Sequence, residues 1–103
     1  MFCYIWEYIV KPEHTTSFAE LYGSLGAWVE LFRSDERYIR TVLLRDDTNP
    51  HRFVTLDFWT SKEACMSFRD LNRERFDAID AQGDQYTSSE TLVGDFDLLT
   101  KEN

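Results

Sequence analysis

In the stretch RFVTLDFWTSKEACMSF, Asp57 and Trp59 stand two residues apart in a segment dense in β-forming residues. Strand side chains alternate between faces, so Asp57 and Trp59 share a face with Thr55 and Phe53. A carboxylate beside a large flat indole suits one kind of chemistry. The indole can pack on an aromatic substrate, and the carboxylate can take the proton of a phenol on that ring. A general base must reach its proton and have a suitable pKa, and an apolar pocket raises a carboxyl pKa by desolvation. A phenolate gives up an electron to O2 far more readily than a phenol does, so such a site would need no cofactor. Trp59 and Asp57 are therefore the candidate catalytic residues. The competing reading makes Trp59 core and pairs Asp57 with a neighbouring Arg or a backbone group.

Further aromatics would surround this pair. Tyr4, Trp6 and Tyr8 alternate onto one face of the opening strand; Tyr4 and Trp6 are candidate lining residues, and Tyr8 reads as filling. Tyr22 and Trp28 would come from the helical wall, with Tyr22 suited to a polar substrate because a buried phenol needs a partner. Thr55, beside Asp57, and Phe68, on the following helix, complete the candidate substrate-binding set. His14 and His51 read as surface residues. Arg69, Asp70, Arg73, Glu74, Arg75 and Asp77 read as a solvated helix face with pairing potential. Cys3 and Cys65 have no metal-ligand spacing and fit reduced, buried thiols in a cytoplasmic protein. No metal or cofactor is expected, and there is no GxGxxG, P-loop, HExxH or GxSxG pattern.

The elements that must position these residues follow from periodicity. Phe2 to Lys11 reads as a strand ended by Pro12. Helical spacing from His14 to about Gly23 buries Phe18, Leu21, Tyr22 and Leu25. A short helix follows over Ala27 to Arg33. Tyr38 to Arg45 and Arg52 to Trp59 are strands joined through the turn residues DDTNP. Thr60 and Glu63 have capping-box spacing, opening a helix from Ser61 to about Ala81 whose inner face carries Cys65, Phe68, Leu71, Asn72, Phe76 and Ile79. Glu90 to Leu99 is a last strand with a bulge at Gly94; 100–103 is a polar tail. The order βαββαβ predicts an α+β, ferredoxin-like domain over 1–103: a four-stranded antiparallel sheet in the order fourth, first, third, second, with the helices on one face.

Both faces of that sheet are apolar, and helices cover only one. Soluble monomers rarely expose an apolar patch of several hundred Å2, which predicts a homodimer joined sheet to sheet. The chain has 103 residues and a net charge of −8. That charge argues against binding nucleic acid or an anionic membrane, both of which favour Lys and Arg. No apolar run approaches the ~20 residues of a membrane span, and the opening residues lack the basic leader of a signal peptide.

The segment LLRDDTNPHRFVTLDFWTSKEACMSF, with the opening strand before KPEHTTSF and the later ETLVGDF, resembles the antibiotic biosynthesis monooxygenase family of dimeric α+β barrels. The resemblance runs from about Tyr4 to Phe96. It implies a dimer, a ligand cavity between each sheet and its own helices, and a tryptophan at the end of the third strand, matched by Trp59. It also implies a range of activities, from cofactor-free quinone-forming oxygenases to haem-degrading enzymes. The haem-degrading pattern needs an asparagine on the first strand and a histidine on the second long helix. Trp6 stands at the first position, and Phe68 and Arg69 at the second, so haem is not expected. The leading expectation is a cofactor-independent monooxygenase of a small aromatic or quinol-like molecule. The alternatives are a non-catalytic dimer that binds or senses a small apolar ligand, and a cofactor-free isomerase or cyclase-like enzyme using Asp57 as base.

Overall fold

A computed structural model describes residues 1–100. The polar tail expected over 100–103 lies, beyond Thr100, outside the described residues. The strands are β1 (Phe2–Val10), β2 (Tyr38–Arg45), β3 (Arg52–Trp59) and β4 (Thr87–Asp97). The helices are α1 (Thr15–Tyr22), α2 (Ala27–Phe32), α3 (Lys62–Leu71) and α4 (Arg73–Asp84), with a 3-10 turn at Pro12–His14 before α1. The sheet is antiparallel in the order β2-β3-β1-β4, which is the α+β, ferredoxin-like arrangement expected from the chain order.

Alternation sorts the two faces as the sequence predicts. Tyr4, Tyr8, Val10, Phe53 and Trp59 are buried on the inner face, where Phe18, Leu21, Tyr22, Trp28, Leu31, Phe32 and Phe68 of the helices meet them. The outer face carries Ile5, Ile9, Val42, Val54 and Leu56, all half-buried in the single chain.

The helical segments differ from expectation in four places. Leu25 is 94% exposed, because α1 stops at Tyr22 and Gly23 is extended. The cap of α3 is Ser61, whose Oγ accepts from Ala64 N at 3.1 Å; Thr60 lies outside the helix. The long helix is two helices. At Asn72 the backbone leaves the helical region (φ −118°, ψ 26°), and Asn72 Nδ2 donates to Phe68 O at 3.0 Å. Phe68 O accepts from Asn72 N at 3.0 Å as well, so the amide joins the last ladder bond of α3. The break turns the apolar stripe, leaving Leu71 77% exposed. Finally, α4 continues through Gly83 to Asp84; a side chain at Gly83 would collide with the Tyr22 hydroxyl, so glycine lets α4 close onto α1.

Both edge strands are bulged. In β2 the register steps from Tyr38↔Trp59 to Arg40↔Phe58, leaving Ile39 unpaired. In β4 it steps from Gly94↔Ile5 to Leu92↔Trp6, leaving Val93 unpaired, with a second step between Ile9 and Val10. Gly94 has φ 153°, a region that side-chain-bearing residues rarely adopt, as the expected bulge requires. An extra residue reverses the facing of everything beyond it. Tyr38 thus joins the inner face with Thr41, and Glu90 joins it with Leu92.

Candidate active site

A cavity of about 150 Å3 lies between the inner sheet face and the helices. Its floor is β1 and β3: Tyr4, Trp6, Tyr8, Thr55, Asp57 and Trp59. Tyr22, Trp28 and Phe32 form one wall, Cys65, Arg69 and Phe76 another, and Thr41 enters from β2. Seven of the eight expected site residues, all but Phe68, line it. Phe68 is 1% exposed and sits behind the wall, 5.1 Å from the Trp59 ring and 5.7 Å from Phe32. Its aromatic bulk holds Trp59 in place and does not face the cavity.

Trp59 is itself 1% exposed. Its ring meets Phe32 at 5.6 Å and Tyr38 at 5.4 Å, both edge to face. It is a rigid part of the cavity floor, locked by packing on three sides. Trp6, half-buried, has more surface free, and its ring meets Tyr4 edge to face at 5.8 Å.

Asp57 sits in the cavity floor with Tyr4 opposite it on β1 and Thr41 opposite it on β2. No arginine or lysine pairs with it among the described contacts. Thr41 Oγ1 donates to Asp57 Oδ1 at 2.6 Å, and the Tyr38 hydroxyl lies 2.7 Å from Thr41 Oγ1. Burial raises the Asp57 carboxyl to about 6, while the Thr41 hydrogen bond favours the charged form and limits the rise. Asp57 therefore changes protonation close to neutral pH. Desolvation acts on the neighbouring thiols too, pushing Cys65 up to about 12. Cys65 is protonated and inert as a nucleophile at neutral pH.

Arg69 departs from the expected solvated face. It follows Cys65 by four residues, so the two share the inner side of α3. Its guanidinium stands 5.6 Å over the Tyr4 ring and 5.0 Å over the Phe76 ring, and Nη1 donates to the Tyr4 hydroxyl at 2.9 Å. Arg69 Nε is buried without a hydrogen-bond partner, as is Trp28 Nε1. The cavity thus holds one cation with an unused donor, and one carboxylate, Asp57, on its floor. Their helical spacing was the signal for Arg69; charge pairing of Arg73 with Asp70 and Asp77, at 3.5 and 3.8 Å, accounts for the truly solvated part of that face.

The mouth is acidic. Asp80 and Glu90 line it, and Asp84 stands close, with one oxygen of each within 4.8 Å of the others. Burial, then the neighbouring carboxylates, raises both Asp80 and Glu90. Asp84 and Glu90 are exposed, and exposed acidic groups commonly stand together without an ion. Neither His14 nor His51 lines the cavity.

Solved structures of known proteins share this architecture. A variant of SnoaB, a cofactor-independent oxygenase from Streptomyces nogalater, superposes with a TM-score of 0.80 at 15% identity, over 97% of this chain and 94% of that one. A putative antibiotic biosynthesis monooxygenase from Bordetella bronchiseptica gives 0.75 at 15% identity, over 96% and 97%. Another from Nitrosomonas europaea gives 0.72 at 15%, over 97% and 100%. No curated protein matches the chain at a significant level. At such identities the likeness speaks for the fold. The sequence carries the rest, since the profile of the antibiotic biosynthesis monooxygenase family matches residues 1–78, most of the chain, and with it β1 to β3, Asp57, Trp59 and Arg69; the protein belongs to that family.

Proposed function

We propose that the protein is a cofactor-independent monooxygenase of small phenols and hydroquinones. The observation that carries this reading is Asp57: a carboxylate on the floor of an aromatic cavity, with no cation paired to it among the described residues and its pKa raised by burial. The fold it shares with a cofactor-independent oxygenase supports the same reading.

Asp57 accepts a proton from the bound hydroquinone. Trp6 and Trp59 hold the ring flat, and Arg69, with the Tyr4 hydroxyl it polarises, offers hydrogen bonds to the oxyanion that forms. Such preorganised donors are the largest single contributors in many active sites. The hydroquinone anion passes one electron to O2, giving semiquinone and superoxide. These combine at a ring carbon to form a hydroperoxide, which loses water to leave a hydroxyquinone. One hydroquinone and one O2 become one hydroxyquinone and one water.

Cavity size narrows the substrate. An apolar cavity of about 150 Å3 holds a benzene-sized molecule, while drug-sized ligands occupy roughly 300–1,000 Å3. The site fits one ring with small substituents and not a three-ring anthrone.

The test is O2 uptake, corrected for autoxidation, with methylhydroquinone, 1,4-naphthohydroquinone and an anthrone. Uptake equal to product formed is expected for the first, and little for the anthrone. Asp57→Asn should lower kcat/KM by about 10²-fold or more, the usual worth of a general base. Arg69→Met should cost a similar factor. Binding of methylhydroquinone without O2 uptake would replace this reading with that of a binding protein.

A further inference from the structure

Thr41 has one hydroxyl hydrogen, and it is given to Asp57 Oδ1 at 2.6 Å. In the 2.7 Å contact with Tyr38, therefore, Tyr38 must be the donor. The result is an ordered chain, Tyr38 O–H to Thr41 O–H to the Asp57 carboxylate. Such a chain can reverse. Once Asp57 carries a proton, its own O–H can donate to Thr41, Thr41 to Tyr38, and Tyr38 to water.

We infer that Thr41 and Tyr38 form the proton exit from Asp57, a path that runs from the cavity wall at Thr41 to the Tyr38 hydroxyl on edge strand β2. The inference rests on the proposed role of Asp57 as base. Each O–H bond breaks as the next forms, so one proton leaves Asp57 for water and neither Thr41 nor Tyr38 keeps a charge. A ring bound in the cavity displaces water from beside Asp57, while the hydrogen bond from Thr41 stays in place.

Two features fit this use. Tyr38 does not line the cavity; it stands behind Trp59 and Phe32, half-buried, on edge strand β2. The bulge at Ile39 is what turns Tyr38 inward to reach Thr41. Among the described contacts Thr41 is the side chain hydrogen-bonded to Asp57, while the Tyr4 hydroxyl opposite is held by cationic Arg69.

The 13C carboxyl resonance of Asp57, followed through its titration with toluene filling the cavity, reads the exit without turnover. Wild type should give a single averaged line. Tyr38→Phe and Thr41→Val should broaden or split it, and Thr41→Ser should restore the averaged line relative to Thr41→Val. Line shapes identical to wild type in both Tyr38→Phe and Thr41→Val overturn the exit. The base role of Asp57 is judged separately, by the O2 uptake of Asp57→Asn.

Discussion

Asp57 costs the folded protein stability at the pH where it would be useful. Its folded carboxyl titrates at about 6 against the ordinary 3.8, because burial disfavours the charge. The folded state therefore binds this proton more tightly than the unfolded chain. Its stabilising contribution is complete below about pH 4 and is lost as pH rises through about 6. Two pKa units correspond to about 2–3 kcal/mol. Asp57→Asn keeps an acceptor for Thr41 and has no charge to desolvate. It should raise the stability at pH 7.5 by up to about 2–3 kcal/mol, measured by urea unfolding, and the gain should vanish by pH 4. An equal gain at both pH values would mean that packing, not charge, is responsible. Asp46 does not confuse the comparison, since Thr48 and Arg52 hold it down to about 2 and its effect falls below that window. A residue that weakens the fold and serves the site is the usual sign of a functional compromise.

The elements show which signals a sequence carries. Strand alternation placed Tyr4, Trp6, Thr55, Asp57 and Trp59 on one face, because a period of two is rigid once both neighbours of a strand are paired. Helical period placed Tyr22 and Trp28 on the opposing wall. Besides Arg69, which read as solvated and lines the cavity, three things escaped. Thr41 needed the pairing of β2 with β3, which is a contact between segments and leaves no mark within either. Tyr38 and Glu90 needed the bulges, whose extra residues, Ile39 and Val93, look like ordinary strand residues; only the glycine beside the second gives a bulge away. The break at Asn72 was hidden because the residues around it are good helix formers. The start of α3 offers a test of local chemistry. Thr60, Ser61 and Glu63 all look like capping residues, but only Ser61 Oγ meets a free N–H. Ser61→Ala should cost about 1 kcal/mol in chemical denaturation, while Thr60→Ala should change stability by a few tenths at most.

At the scale of the molecule, the outer sheet face remains to be covered. Leu44 and Phe96 are 48% and 44% exposed there, beside the half-buried Ile5, Ile9, Val42, Val54 and Leu56. We propose that a second copy covers it, sheet to sheet. Sedimentation should give twice the 12.2 kDa of one chain, and Leu56→Glu, which puts a charge at the middle of that face, should give monomers with unchanged circular dichroism. A monomeric wild type at micromolar concentration would end the proposal. The two faces of the sheet would then have separate duties, assembly outside and chemistry inside. The bulges at the sheet margins bear on how such a scaffold changes over evolutionary time. Removing Ile39 or Val93 would leave Tyr38 opposite Trp59 and Leu92 opposite Trp6, with the same side chains presented inward. Each bulge thus absorbs one extra residue at the sheet margin. A scaffold of this kind can change the length of an edge strand there while the cavity keeps its reactive groups.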